Sequence, residues 1–308
     1  MEFSHIPVLL EECMEALAIR PDGIYLDGTA GGGGHSFEIA RRLTSGRLIA
    51  VDKDRQAITA AGRRLASFPL AQVVQGDFAD IPQILQNLSL PGADGVLLDL
   101  GVSSHQLDTP ERGFSYSVDA PLDMRMSGEG QSAADLLNCA AEEELAHIFF
   151  RYGEEKFSRR IAKSIVEARQ VKPLETTGEL VELIRSSIPA AARREGGHPA
   201  KRVFQAVRIA VNGELDSLER ALNGIFEILN PGGRFAVITF HSLEDRMVKQ
   251  AFAALAKGCT CPPDFPVCVC GKTPRGRLVT KKPVLPGKEE LAKNPRSKSA
   301  KLRTIEKL

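Results

Sequence analysis

No stretch of this 308-residue chain approaches the roughly 18 consecutive apolar residues that a membrane span needs, and its first residues lack a cationic segment followed by an apolar one. A membrane-embedded protein is set aside, no signal peptide is expected, and the chain is expected in the cytoplasm. Internal repeats and low-complexity tracts are absent as well, which sets aside repeat architectures. Net charge is nearly absent at +1, yet it hides an asymmetry: residues 257–308 carry 13 Lys/Arg against 4 Asp/Glu, and residues 1–256 carry 27 against 35. A basic tail on an acidic body suits an anionic partner near the C-terminus, a solvated tail being the plain alternative.

Cysteine is scarce, six in all. Cys13 and Cys139 fall in helical patterns and are expected as buried small hydrophobes. The other four form Cys259-x-Cys261 and Cys268-x-Cys270, with a Pro-Pro pair between them. Four thiols in the twelve residues 259–270 of a cytosolic chain favour metal over disulfides. The C-x-C spacing departs from the C-x₂-C of zinc ribbons. Zinc and unligated thiols both stay open, and no metal is placed among the expected site groups.

What is present in quantity is glycine in one place. Residues 24–36 read Ile-Tyr-Leu-Asp-Gly-Thr-Ala-Gly-Gly-Gly-Gly-His-Ser. A β-rich run ends in a carboxylate, passes through four consecutive glycines and opens into an amphipathic stretch. Backbone without Cβ atoms takes positive φ and comes close to a ligand, and strand, glycine turn and helix together mark a nucleotide-type site. Three more strand-like runs follow, ending at or just before Asp52, Asp77 and Asp99. Four successive strands thus deliver a carboxylate to the edge where open parallel sheets bind ligands.

Such acids suit a cationic ligand better than a dinucleotide, whose pyrophosphate Asp27 would repel. S-adenosylmethionine carries a sulfonium, an ammonium and a ribose. Asp52 follows Gly31 by 21 residues, close to the offset of about 20 expected of an acid that holds ribose hydroxyls. As plain alternatives, each acid is a loop residue or a helix N-cap.

Taken in order, the pattern predicts helix 7–18 with Pro7 at its first position, strand 24–27, helix 34–44, strand 48–52, helix 54–66, strand 72–75, helix 80–88 and strand 94–99. This alternation argues for an α/β, Rossmann-like, doubly wound and mostly parallel sheet. Beyond Asp99 the rhythm breaks, and only helical patterns run from Ser132 to Pro189: 133–139, 142–152 with Gly153 just past the end, 155–170 and 177–187. Helices 200–212 and 214–229, a strand over 234–239, and strand candidates 278–284 and 302–305 then complete the sheet. Residues 107–199 are therefore read as an inserted all-helical substrate-recognition domain within a discontinuous catalytic domain, 1–106 and 200–308.

The strings HIPVLL, DGTAGGGGHS, DLGVSS, GFSYSVDAPLDMRM, FQAVRIAVNGEL, FHSLEDR and NPRSKSAKLR resemble the MraW/RsmH family over His5 to about Arg303. That resemblance implies a Rossmann-like S-adenosylmethionine-dependent methyltransferase with a helical insertion. The implied substrate is the N4 amino group of a cytosine in the decoding region of 16S rRNA, within the small ribosomal subunit. It also implies a donor site at Gly33, Gly34, His35, Asp52, Phe78, Asp99 and Gln106. The double C-x-C loop is not a fixed feature of the family.

Methyl transfer to an amino group needs an acceptor near the nitrogen, and Asp99 is the candidate, with donor-site ligand as its other reading. DNA amino-methyltransferases carry an acid or amide followed by Pro-Pro-aromatic; here Asp99-Leu100-Gly101-Val102 stands instead. The aromatic platform must then come from elsewhere, and Phe114 and Tyr116 either stack on an extruded base or serve as core. RNA contact is expected at Arg112, Arg125, Lys201, Arg202, Arg208, Arg296, Lys298, Lys301 and Arg303. His241 faces substrate or caps a helix. His5 has no assigned role. Exposed apolar faces on the insert would permit a homodimer. Two other functions stay open: a nicotinamide oxidoreductase, opposed by Asp27 and by Ser36 where G-x-G-x-x-G wants Gly or Ala, and a non-catalytic RNA-binding or assembly protein.

Overall fold

A computed structural model describes residues 7–193, 197–259, 261, 267 and 270–308; His5 and Cys268 lie outside them. In chain order the elements are α1 (Leu10–Leu17), β1 (Ile24–Asp27), α2 (Gly34–Ala40), β2 (Arg47–Asp52), α3 (Arg55–Leu65), β3 (Ala71–Gln75), α4 (Ile81–Asn87), β4 (Ala93–Asp99), α5 (Ser104–Asp108), α6 (Ala133–Cys139), α7 (Glu142–Gly153), α8 (Ser158–Val171), α9 (Thr177–Ser187), α10 (Ala190–Arg193), α11 (Lys201–Asn212), α12 (Glu214–Ile228), β5 (Leu229–Thr239), α13 (Ser242–Ala256), β6 (Gly276–Leu278), α14 (Lys288–Lys293) and β7 (Lys301–Lys307).

The seven strands form one sheet in the order β3-β2-β1-β4-β5-β7-β6. β1 to β5 are parallel, β7 is antiparallel to β5, and β6 is antiparallel to β7. This is the expected doubly wound α/β architecture. Successive strand residues bury on opposite faces. Leu48, Ala50, Leu97, Ala236 and Ile238 join Cys13, Met14, Leu17, Ile39 and Leu65 on one side. Ile49, Val51, Val96, Leu98, Phe235 and Val237 join Ile81, Leu85, Phe226 and Phe252 on the other. Helices on both faces explain why these strands read as continuous apolar runs. β1 and β4 are neighbours, and from them the strand order runs outward in opposite directions. That junction is the switch point at which open α/β sheets bind ligands.

The chain divides into two compact units, Met1–Gly101 with Leu215–Leu308, and Val102–Glu214. The boundaries differ from those expected, because α11 belongs to the helical unit. Its Val203, Phe204, Ala206 and Val207 pack with Leu145, Phe149, Ile161, Ile165, Leu180 and Ile184. An amphipathic helix declares an apolar face, not which core receives it.

Smaller differences have local causes. α1 starts at Leu10 instead of Pro7, because Leu9 takes a left-handed φ of 52° and its N–H donates to Glu290 Oε1. Gly153 lies inside α7, and Glu154 takes the left-handed position with φ 50°; a Cβ on Gly153 would sit 2.6 Å from the Arg202 carbonyl, so this glycine serves packing. Strand pairing at 278–284 reduces to β6 plus a single bridge from Val284 to Leu302. Cys13 is buried as expected, whereas Cys139 is exposed at the end of α6. No helix among the described residues is long and apolar enough to cross a membrane.

Gly28, just after β1, supports the switch point by its lack of a side chain. A Cβ there would press on Leu98 Cδ2, at 2.8 Å on Ile81 Cδ1 and at 3.0 Å on Phe78 Cβ. Gly28→Ala is expected to lower unfolding free energy by about 1–3 kcal/mol, read by urea denaturation; an unchanged midpoint would contradict this packing.

Candidate functional site

Three acids converge at the switch point. Asp27 ends β1, is 1% exposed, and accepts the Ser36 hydroxyl at 2.6 Å on Oδ2 and the Thr29 N–H at 3.2 Å on Oδ1. Asp52 ends β2, accepting the Gly31 N–H at 2.8 Å on Oδ2 and the Asp54 N–H at 2.9 Å on Oδ1. It therefore fixes the glycine turn from the neighbouring strand. Gly31 and Gly33 take φ of 52° and 77°, and Gly33 forms the N-cap of α2. A Cβ on Gly33 would also lie 3.2 Å from Ala61 Cα.

Asp99 ends β4, where its backbone N–H donates to Thr29 Oγ1 at 2.6 Å. Its Oδ1 is fully buried and accepts no hydrogen bond. The side chain as a whole is 22% exposed, and Oδ2 lies 3.9 Å from His35 Nδ1. Among the described residues, no lysine or arginine pairs with Asp27, Asp52 or Asp99.

The electrostatics follow from that arrangement. Burial raises all three carboxyls above the ordinary 3.8, Asp52 to about 6 and Asp99 well above its usual range. The charge of Asp27 adds to the shift at Asp52 and Asp99, and Glu244 and Glu290 add to it at Asp99. Burial lowers His35 below 6.5, against the pull of Asp27. The ring is thus neutral at pH 7, and its Nε2 pairs with the Val8 carbonyl at 2.9 Å. Buried carboxyls with no protein cation favour a ligand that brings positive charge.

Asp77 does not join this group. Burial pushes its carboxyl up, but Lys53 at 2.8 Å, the Ala79 N–H and the Ser217 hydroxyl outweigh that and hold it below its ordinary value. Of the four acids, Asp77 is the one that carries a lysine partner. Lys53 and Ser217 had no sequence signal, since 140 residues separate Asp77 from Ser217. Phe78, one residue on, opens a short 3₁₀ turn and packs half-buried beside the Leu98 side of the core.

In the helical unit, Gln106 is buried. It reciprocates the Ser103 cap of α5, its Oε1 accepting the Ser103 N–H at 3.0 Å. Phe114 is core, 6% exposed among Leu122, Met124 and Phe204, which removes it as a stacking platform. Tyr116 lies flat on His198, ring centroids 4.5 Å apart.

Several expected RNA contacts are engaged within the protein. Arg112 donates to the Arg125 and Met126 carbonyls. Arg125 pairs with Asp123 at 2.6 Å, and Arg208 forks onto both oxygens of Glu214 at 2.7 and 2.8 Å. Lys301 and Arg303 both clamp Asp245, at 3.0 and 2.7 Å. Lys201, Arg202 and Lys298 are exposed, with Arg202 donating to the Glu154 carbonyl. Sequence reading missed an open depression of about 560 Å³ lined by Arg185, Ala190, Arg193, His198 and Pro199; scattered single cations carry no pattern.

His241 is the N-cap of α13, its Nδ1 accepting the Glu244 N–H at 3.4 Å while Glu244 Oε2 accepts the His241 N–H at 3.3 Å. Its Nε2 is buried 3.1 Å from Glu244 Oε1, without the alignment of a hydrogen bond. The capping role therefore describes His241.

Residues 2–308 match the model of the MraW methylase family. Curated relatives named Ribosomal RNA small subunit methyltransferase H align over 100% of this chain. The one from Symbiobacterium thermophilum is 59% identical with 98% of its own length covered, and the one from Heliobacterium modesticaldum is 58% identical with 100% covered. A third, from Brevibacillus brevis, is 57% identical with 99% covered.

Proposed function

The chain belongs to the MraW methylase family. From that premise we propose that it transfers the methyl group of S-adenosylmethionine to the N4 amino group of a cytosine in the decoding region of 16S rRNA, acting on the small ribosomal subunit in the cytoplasm. The observation that carries the reading is Asp99: a buried carboxyl at the switch point whose Oδ1 accepts no hydrogen bond, beside two further carboxyls without a cationic partner. An amino group and a sulfonium are what such a site complements.

S-adenosylmethionine, when bound, supplies an electrophilic methyl carbon and a neutral thioether leaving group. Asp52 takes the ribose hydroxyls, the backbone of Gly33 and Gly34 lies along the methionine part beside neutral His35, and Phe78 packs on the adenine. Gln106 is a member of the donor set by resemblance. The cytosine lone pair is delocalised into the ring. Asp99 Oδ1 accepts an amino N–H, draws the nitrogen toward tetrahedral geometry and takes the proton as the N–C bond forms and the S–C bond breaks. The sulfur keeps the electron pair. Positioning the two reactants supplies about 7–11 kcal/mol.

Phosphate contacts fall on Lys201, Arg202 and Lys298, with Arg296, and on the depression formed by Arg185, Arg193 and His198. Arg112, Arg125 and Arg208 act instead by holding their own loops and helices in place. Both other readings lose support: three unpaired carboxyls at the glycine turn repel a pyrophosphate, and a methylase family is not one of passive RNA binders. Tritiated methyl transfer to small subunits lacking the modification, followed by nucleoside mapping, tests the proposal. Label on N4-methylcytidine is expected, and label on a ring carbon or a ribose oxygen would overturn it.

The raised Asp52 carboxyl makes binding pH-dependent. The folded unliganded chain keeps a proton there up to about pH 6, so this group's stabilisation is complete below about pH 4 and fades as pH rises through 6. Donor binding, which uses the carboxylate, runs the other way. Affinity at pH 5 is expected about tenfold below that at pH 7.5, with proton release on binding near pH 6 shown by calorimetry in buffers of different ionisation heat. Affinity flat across that range would refute the assignment.

A further inference from the structure

Between Ala256, the end of α13, and Gly276, the start of β6, the chain makes a loop that closes at its base. The Arg275 N–H donates to the Leu255 carbonyl at 2.9 Å, and Gly258 abuts Pro274. Within this loop Val267 is 69% exposed and is not packed as core. Cys259, Cys261 and Cys270 instead bring their sulfur atoms within 4.8 Å of one another. The Sγ atoms of Cys259 and Cys270 are 3.7 Å apart. A disulfide needs about 2.05 Å. Thiolates bound about 2.3 Å from a tetrahedral zinc ion stand about 3.8 Å from one another.

From this geometry we propose that the loop is a structural zinc site in which Cys259, Cys261 and Cys270 are three of the ligands. The Cys261 N–H already donates to Cys259 Sγ at 3.4 Å, a contact that stabilises a thiolate and orients it toward the metal. Lys257 and Lys272 flank the cysteines in sequence, and positive side chains nearby would offset the negative charge of a zinc–thiolate centre. Binding releases the thiol protons and ties Cys259, Cys261 and Cys270 together through metal–sulfur bonds. The site is separate from the methyl-transfer chemistry and uses none of its residues.

The test is metal analysis of the full chain, purified without chelator, by elemental mass spectrometry. Cobalt substitution then reads the ligand type. About one zinc per chain is expected, and cobalt should give the sulfur-to-cobalt charge transfer and intense visible bands of tetrahedral thiolate coordination. Cys259→Ser and Cys270→Ser should each hold less than about a tenth of the wild-type zinc, while Cys139→Ser keeps it. If a ligand variant fails to fold, cobalt titration of the chelator-treated wild type decides alone. A wild-type chain that takes up neither ion, cobalt spectra without thiolate charge transfer, variants that keep full zinc, or a Cys259–Cys270 disulfide found by non-reducing peptide mapping would each overturn the proposal.

Discussion

Asp99→Asn is expected to slow methyl transfer about 10²- to 10⁴-fold while leaving the unliganded chain more resistant to heat than wild type. The amide preserves size and still offers an oxygen to an N–H, but it takes no proton and carries no charge. If Asp99 is the acceptor, the loss falls on turnover, and the KM for S-adenosylmethionine moves far less. The stability gain follows from linkage. Burial, with Asp27, Glu244 and Glu290 nearby, holds the Asp99 carboxyl well above its ordinary value. Its stabilisation is complete when protonated at low pH and is lost as pH rises through the folded value. Above that folded value the wild type carries a buried charge that the asparagine never carries, and the gain in Tm is read there. Inactivity with raised Tm would separate loss of chemistry from loss of fold, a pattern known where sites trade stability for activity. A loss residing wholly in donor affinity would reassign Asp99 as a ligand only.

Asp52→Ala is expected to weaken S-adenosylmethionine binding about ten- to hundredfold, the size of one lost charge-assisted hydrogen-bonding group. The variant also frees the Gly31 and Asp54 N–H groups, both held by this carboxylate, so the glycine turn loosens along with the lost ribose contact. Equilibrium titration reads the change. Asp52→Asn keeps an acceptor for one of those amides and should fall between the two. Equal affinity for wild type and alanine variant would remove Asp52 from the donor site.

These expectations rest on features that differ in how openly the sequence displays them. β1, β2 and β4 were legible because parallel strands buried on both faces are mostly apolar, and because each of them ends in an acid. The glycine turn was legible because four adjacent glycines permit few other backbones. Asp77 shows the limit: its spacing matches the other acids, but Lys53 and Ser217 neutralise it through folding. Arg208, Lys301 and Arg303 look like RNA contacts only until Glu214 and Asp245 are seen beside them. Phe114 is chemically suited to stacking, and only tertiary packing shows that the core has already taken it. α11 carries the same face-forming pattern whichever unit receives it, so its 3.6-residue period could not place the boundary. Glu290 reaches Leu9 across 281 residues, a separation at which no local pattern operates.

The central claim is that Asp27, Asp52 and Asp99 form a cradle for a positively charged methyl donor. Calorimetric titration of the full chain with S-adenosylmethionine, and separately with NAD, addresses it most directly. The account predicts saturable heat at one S-adenosylmethionine per chain, with affinity about ten- to hundredfold weaker in Asp52→Ala, and no heat with NAD. Saturable heat with NAD and none with S-adenosylmethionine would contradict it.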